Sequence, residues 1–504
     1  MLKTTSHLTS QTNKPLQEKC GIVAVYNKSP RANLPLALLC AGGVQHRGQQ
    51  GAGVVLKTAK KITRLIGNGH LSDIFTQAKV ARLNARNKWI LVHCRYGTYG
   101  GYDQRNLQPC MVKAKDGTVI SVIHNGEFAA VEEMRRRLGM KLPHDISDTY
   151  IFAQLLAREK GNSWDEKIVT ALSKVNGAYC LLIGIDNVIY VTRDQFGLRP
   201  LVFGQLKNNW IVASETHALD KIGAKILREV RRGEIMKLTD EGPVTIQKGK
   251  ERVGNFCEFE WAYFSRPDSL LETPTDRLAV ALFRRRCGEL LAQESPISHA
   301  TLAVGVPDSG IAVTTGFANA LHIPYHQAIV RDHFDVSGDQ RLFMRDDQKK
   351  LIKKKVLGKL SLVPDHRIWK NAVVVIGDDS IVRGNVSGEI THSLFALGAR
   401  EVHWIVGFPP VAHPCHLGVS MRTYDELIAS RHKGDVTKIA KEIGATSVRY
   451  ITYRSFIKAR LGNEKLKESK SLQDLFLLNS GCGGCITGQY PISREGAIHP
   501  LATK

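Results

Sequence analysis

The stretch from Val373 to Ser387 limits what this chain can fold into more than any other. It opens with four consecutive apolar residues, Val373 to Ile376, with no polar residue alternating among them. A strand of that kind is covered on both faces, as in a parallel sheet with helices packed on either side. The run ends at two adjacent carboxylates, Asp378 and Asp379. After a short turn carrying Gly384, helical spacing begins near Ser387. Strand, acidic pair, small-residue loop and helix N-terminus together make a seat for a sugar phosphate. Backbone N–H groups and the positive end of the helix dipole hold a phosphate. The carboxylates are placed to bind ribose hydroxyls or a hydrated Mg2+. The plainer reading of the same residues is a strand ending in a solvated acidic turn.

From about residue 275 strands alternate with helices. Apolar runs at Ala300–Val304, Ala372–Ile376 and Val402–Val406 stand against helical patterns near 276–293, 311–320 and 387–397. That alternation predicts a doubly wound parallel sheet over 275–423. Residues 20–250 have a different character. Short β-branched runs at Gly21–Tyr26, Trp89–His93, Thr118–Ile123, Ala178–Ile185, Val188–Thr192 and Trp210–Ala213 are broken by Gly and Asn. Helical patterns intervene at Leu34–Leu39 and Ser147–Leu156. Stacked antiparallel sheets with helices outside are expected there. Residues 251–274 join the two units, and 424–504 reads as a C-terminal helical segment ending on a cysteine pair. A chain of 504 residues accommodates two or three such units, each with its own core.

Composition narrows the function class. Hydrophobic residues make up 43% and charged residues 23%, as in globular proteins. No stretch approaches the roughly 20 apolar residues of a membrane span. Residues 1–19 are polar and lack the apolar core of a secretory signal. Ten cysteines without small-domain spacing argue for metal or catalysis rather than disulfides, and for a cytoplasmic location. The formal charge of +23 would suit nucleic acid. The basic residues are scattered, however, and the one dense run, Lys349 to Lys355, has the pattern of a solvated helix face. Phosphorylated substrates favour the same positive field.

Several short motifs occur in a fixed order near the N-terminus: Cys20 opening an apolar run, then Gln45 to Gly53, His93 to Thr98, His124 to Glu127, and Ser147 to Thr149. Singly each is weak. In this order they resemble the glutaminase domain of the N-terminal nucleophile amidotransferases, and Val373 to Ser387 resembles the phosphoribosyl diphosphate (PRPP) loop of the type I phosphoribosyltransferases. Together, from about Cys20 to about Pro491, the chain resembles a divergent member of the amidophosphoribosyltransferase family. The resemblance implies an αββα sandwich followed by a doubly wound parallel sheet.

It also implies roles. Cys20 would be the nucleophile, with its own α-amine as general base, since an amine of pKa about 7.7–8 suits proton transfer at neutral pH. That requires removal of residues 1–19 as a propeptide. Asn125 and Gly126 would form the oxyanion hole. Arg95 would hold the glutamine α-carboxylate and Asp148 its α-ammonium, with Arg47 in or just behind the same site. Arg193 to Gly197 would be a largely structural turn. In the second unit Asp308, Ser309 and Gly310 would line the pyrophosphate loop. Asp378, Asp379, Gly384 and Ser387 would hold the rest of PRPP, with Ser309 and the two aspartates near Mg2+. Ammonia must then pass between the sites through a sealed passage. Cys257, Cys415, Cys482 and Cys485 match segments that supply iron–sulfur ligands in part of the family. A [4Fe–4S] cluster is the favoured occupant, with structural zinc as the alternative. A homotetramer or homodimer is implied, with no membrane partner.

Two departures from the family pattern stand out. Asn385-Val386-Ser387 replaces a Thr-Thr-Ser loop, removing two hydroxyls worth about 1–2 kcal/mol each. The lid that closes over PRPP is also altered across Arg331 to Phe343, where only Arg331 and Arg341 offer replacement cations. Two alternatives stay open on these grounds. One is a relative that delivers ammonia to another phosphosugar. The other is a PRPP-responsive nucleic-acid-binding regulator, which would need no nucleophile.

Overall fold

The computed structural model describes residues 20–96, 104–250, 256–273, 276–331, 360–462 and 481–499. The expected propeptide, the lysine run Lys349 to Lys355 and the lid beyond Arg331, Arg341 included, lie outside the described residues.

Among the described residues the first half forms two antiparallel sheets. One has seven strands, in the order Lys225–Glu229, Val202–Leu206, Asn209–Ala213, Gly21–Arg31, Asn87–Arg95, Gly51–Thr58, Ile62–Asn68. The other has six: Pro243–Gln247, Ile235–Leu238, Val188–Arg193, Gly177–Ile185, Val119–Phe128, Cys110–Lys113. Alternate side chains point to opposite faces of a strand, and here both sets are apolar. Ile22, Ala24, Trp89 and Leu91 meet Ile123, Leu182 and Val191 between the sheets. The intervening Val23, Val25, Ile90 and Val92 pack beneath the helices Leu34–Gly42 and Thr216–Asp220. On the far side Val122, Leu181 and Ile183 receive Ile151, Phe152 and Leu156 of the helix Asp148–Arg158. Each such side chain contributes about 1.5–3 kcal/mol on burial. A sheet apolar on both faces is therefore stable only inside a four-layer αββα stack, which is the layering the sequence predicts.

The second half carries a four-stranded parallel sheet in the order Leu302–Gly305, Val373–Asp378, Glu401–Val406, Ser447–Tyr450. Phe283 and Leu291 of the helix Val280–Glu294 and Phe317 of Ser309–Leu321 cover one face. Ile390 and Leu394 of Asn385–Ala396 and Ile439 of Val436–Glu442 cover the other. Helices on both faces make it doubly wound, as expected. The reading of 424–504 as a helical segment needs correction. Ser447–Tyr450 is the fourth strand of the sheet, paired in parallel with His403 to Val406. Four residues with mixed polarity are too few to reveal a two-residue period. The chain then runs through the helix Tyr453–Leu461. At the far end Gly481–Cys482 pairs with Phe256–Cys257, returning the C-terminal segment to the joint between the units. Among the described residues no helix is long and apolar enough to cross a membrane.

Candidate functional site

Cys20 precedes Gly21, the register partner of Cys94, so it stands beside Arg95 at one end of the first sheet. Its Sγ lies 3.9 Å from the Tyr96 carbonyl. Asn125 and Gly126 lie near the matching end of a strand in the second sheet. His93 joins the two sheets, its Nε2–H donating to the His124 carbonyl at 3.3 Å. Burial, then the nearby Arg95 charge, pushes the His93 ring down to about 3, so it is neutral and suited to this bond. Gln108 completes the clamp. Its Oε1 accepts the His124 N–H at 2.7 Å and its Nε2 donates to Thr149 at 3.0 Å. His93, His124, Gln108 and Thr149 are supporting residues that the sequence reading did not assign. His93, His124 and Thr149 lie within the motifs at 93–98, 124–127 and 147–149, whereas Gln108 lies in none of them.

Asn125 is fully buried, and neither its Nδ2 nor its Oδ1 has a hydrogen-bond partner among the described residues. An unsatisfied buried amide costs about 1–3 kcal/mol, a cost relieved when a ligand oxygen arrives. Gly126 has φ +147°, and a Cβ there would sit 1.8 Å from the Ala178 carbonyl oxygen. Both the backbone angle and the close approach to Ala178 require glycine beside Asn125. Asp148 opens its helix behind the N-cap Ser147, whose Oγ accepts the Tyr150 N–H. The Asp148 carboxylate accepts N–H bonds from Phe128 at 3.0 Å and Thr149 at 2.7 Å. It is thus fixed two residues beyond Gly126, with its side chain 16% exposed.

Arg47 stands just behind the site, next to Gly48 on the Cys94–Arg95 backbone, with its guanidinium turned to buried carboxylates rather than to the glutamine position. Its guanidinium is fully buried, 2.6 Å from Glu215 and bidentate on Glu260 at 2.6 and 3.0 Å. His46 and Ser269 also reach Glu215, and Arg199 reaches Glu260 at 3.1 Å. This network ties the sandwich to the segment joining the units. Arg193 pairs with Glu229 at 2.9 Å, and Asp194 accepts N–H bonds from Tyr179, Phe196 and Leu198. That turn is structural.

In the parallel sheet, Ser309 and Gly310 open a helix directly against the acidic pair. A Cβ on Gly310 would meet the Gly377 carbonyl at 2.3 Å. The Ser309 hydroxyl donates to Asp379, and Ser380 donates to its other oxygen at 2.6 Å. Burial, then the neighbouring Asp379, pushes the Asp378 carboxyl well up, and burial pushes Asp379 up as well. A buried and a half-buried carboxylate that repel each other are relieved by a divalent cation, so this donor set fits Mg2+. Asp308 points outward and pairs with Arg331 at 3.0 Å. Gly384, at φ +85°, caps the helix Asn385–Ala396. That helix begins two residues earlier than its spacing suggests. Asn385 and Val386 are exposed in its first turn, and Ser387 is buried with its hydroxyl on the Gly384 carbonyl at 3.0 Å.

Cys257, Cys415, Cys482 and Cys485 are all buried in one apolar cluster. Cys257 and Cys482 are register partners. The Cys485 carbonyl accepts N–H bonds from Ala412 and His413, close to Cys415. Burial pushes the Cys257 thiol up to about 11 against the pull of Arg199, and pushes those of Cys482 and Cys485 well up. Among the described residues no three of these sulfur atoms lie within 4.8 Å of one another. Tetrahedral zinc, with Zn–S about 2.3 Å, would hold them about 3.8 Å apart.

A glutamine amidotransferase domain family matches residues 101–221. The amidophosphoribosyltransferase of Bacillus subtilis (strain 168) is 34% identical over 480 residues, covering 95% of each chain. That of Methanocaldococcus jannaschii is 32% identical over 494 residues, covering 94% of this chain and 97% of the relative. The solved glutamine PRPP amidotransferase of B. subtilis, complexed with ADP and GMP, superposes with a TM-score of 0.81 at 32% identity, over 96% of this chain and all of that one. A structure described as the allosteric regulatory enzyme of purine biosynthesis gives the same score and identity over 95% and 97%.

Proposed function

This chain belongs to the amidophosphoribosyltransferase family, and from that premise we propose that it transfers the amide nitrogen of glutamine to PRPP. The products are 5-phosphoribosylamine, pyrophosphate and glutamate, the first step of purine nucleotide synthesis. The observation that carries the reading is the unsatisfied, fully buried Asn125 amide, at the sheet ends where Cys20, Arg95 and Asp148 also sit. A regulator has no use for an oxyanion hole.

In this reading the Cys20 thiol, its proton taken by the α-amine freed when residues 1–19 leave, attacks the glutamine side-chain carbonyl. The oxyanion is met by Asn125 Nδ2–H and the Gly126 N–H. Ammonia departs as the thioester forms, and water then releases glutamate. Arg95 and Asp148 orient the zwitterion of the substrate through opposite charges. In the second unit the backbone N–H groups from Ser380 to Asn385 hold the 5-phosphate at the helix N-terminus. This backbone cradle offsets the missing hydroxyls at Asn385 and Val386. Asp378 and Asp379 face the ribose, and Ser309 and Gly310 meet the diphosphate. Ammonia adds to the anomeric carbon as pyrophosphate leaves. Mg2+, held at Asp378, Asp379 and Ser309, would supply positive charge to the departing diphosphate.

The four buried thiols would hold a [4Fe–4S] cluster, with structural zinc as the alternative. The buried Arg199 beside Cys257 and Cys415 would offset the negative charge of ligated thiolates. In that role Cys257, Cys415, Cys482 and Cys485 would clamp the C-terminal segment to the joint and take no part in the reaction.

The test is glutamate and pyrophosphate release by anaerobically purified, N-terminally processed protein supplied with glutamine and Mg2+, with and without PRPP. Equal, PRPP-dependent release is expected. Glutamate without pyrophosphate would mean a different acceptor and would sink the proposal.

A further inference from the structure

At the end of the parallel sheet where its strands begin, a second group of polar side chains converges. Residues two apart on a strand share a face, so Glu401 and His403 project side by side from the start of Glu401–Val406. His299 reaches them from the loop between the helix Val280–Glu294 and the strand Leu302–Gly305. Glu401 Oε2 lies 3.1 Å from His299 Nε2 and 3.1 Å from His403 Nε2. The three atoms all fall within 4.8 Å of one another. The two imidazole rings stand at 86°, with centroids 5.5 Å apart. Two ring nitrogens and one carboxylate oxygen therefore gather around a single point.

Spacing and orientation both suit a metal ion there. With metal–ligand distances of about 2.0–2.2 Å, tetrahedral Zn2+ holds its N and O donors about 3.3–3.6 Å apart. The two 3.1 Å separations are close to that edge, so small side-chain shifts admit the ion. His403 is oriented from behind, because its Nδ1 lies 2.8 Å from Ser447 Oγ on the neighbouring strand. A neutral ring that donates Nδ1–H to Ser447 turns an Nε2 lone pair toward Glu401, the tautomer that a metal needs. Lone pair and carboxylate repel unless a cation lies between them. The nearby guanidinium groups are engaged elsewhere: Arg400 on Glu401 Oε1 at 3.2 Å, and Arg449 on Ser447 Oγ. Oε2 is left to the histidines.

We propose that His299, Glu401 and His403 bind one divalent transition ion of the Zn2+ type, with Ser447 as a positioning residue. Two imidazoles select that class over Mg2+ and Ca2+, which prefer oxygen donors. The site is separate from the reaction and does not depend on the function given above. Glu401 pairs with Val373, and Val406 with Asp378, so about 16 Å of strand separates the ion from the acidic pair. Bound there, the ion staples the loop before Leu302–Gly305 to Glu401–Val406 across the start of the central strand Val373–Asp378.

The experiment uses the processed protein with its iron retained, dialysed anaerobically against EDTA and returned to excess Mg2+ to fill the acidic pair. Co2+, a spectroscopic stand-in for Zn2+, is then titrated, and bound metal is counted by mass spectrometry. About one Co2+ per chain is expected, with ligand-field bands, no sulfur-to-metal charge transfer, and displacement by Zn2+. His299→Ala removes a side chain that is 56% exposed, so it should fold normally yet lose this Co2+ and its bands. Ser447→Ala should bind Co2+ about 10–100-fold more weakly. PRPP-dependent glutamate release should be unchanged in both variants. Bands that persist in His299→Ala would overturn the site. So would a charge-transfer band alone, which places the ion among the thiols, or an unsubstituted protein that takes up no Co2+.

Discussion

Replacing Arg47 by methionine separates two roles for this residue by a wide margin. The guanidinium makes three charge-assisted bonds of 2.6–3.0 Å to Glu215 and Glu260, and all three side chains are fully buried. Removing one partner of a buried pair costs about 3–5 kcal/mol, because the other charge is left uncompensated. Here two carboxylates are stranded, but neither is bare. Glu215 keeps His46 at 2.9 Å and Ser269 at 2.6 Å, and Glu260 keeps Arg199 and Ser265, both at 3.1 Å. The lower part of the range, about 3 kcal/mol, is therefore expected. At about 2–4 °C per kcal/mol for a unit of this size, the sandwich should melt roughly 6–12 °C lower by circular dichroism. The KM for glutamine, read well below both transitions, should stay within about twofold, because no uniform binding is removed. Unchanged melting with a glutamine KM raised tenfold or more would refute the reasoning and return Arg47 to the substrate.

The same network gives a pH signature. Burial pushes Glu215 and Glu260 up, but His46 and Arg47 for the first, and Arg47 and Arg199 for the second, hold both below the ordinary carboxylate range. A depressed carboxylate stabilises the fold above its unfolded value of about 4.3, and that stability is lost as pH falls toward the folded value. Urea midpoints should therefore fall below about pH 4.3, and less steeply in Arg47→Met; equal slopes would count against the network. Gly126→Ala should lower kcat of glutamine hydrolysis by about 10²–10³, since the new methyl meets the Ala178 carbonyl; activity within tenfold would remove Gly126 from the oxyanion hole. Cys20→Ala should abolish glutamine hydrolysis, whereas Cys94→Ala should keep it, since the Cys94 thiol is buried and donates to the Ala41 carbonyl at 3.8 Å; equal loss would move the nucleophile. Cys482→Ser should deplete iron and the associated visible absorption in anaerobically purified protein. Full iron content in that variant would exclude the quartet as its site.

Much of this protein is determined by local sequence. The run Val373 to Ile376 is apolar without alternation and becomes a central strand covered on both faces. The acidic pair, Gly384 and the helix start follow in the expected order, because each is a backbone preference set within a few residues. The strands from Cys20, His93 and His124 are legible for the same reason. Their β-branched runs and the glycine after Asn125 encode conformation on the spot. Ser447–Tyr450 was not legible, since its strand character comes from pairing with His403 to Val406 rather than from its own pattern.

Tertiary structure decided the rest. The partners of Arg47 lie 168 and 213 positions away, and nothing near a buried charge in sequence indicates which distant carboxylate neutralises it. An arginine beside a glycine-rich motif therefore reads as a ligand until its burial is seen. The four thiols come from three distant segments and share one cluster because Phe256–Cys257 pairs with Gly481–Cys482 and the Cys485 carbonyl accepts from Ala412 and His413. The two bonds from Arg422 to Glu127, at 2.9 and 3.1 Å, likewise exist only once the parallel sheet is set against the sandwich. Periodicity and turn chemistry act over a few residues, whereas electrostatic pairing acts through space, so the chain encoded its elements locally and its couplings only in the fold.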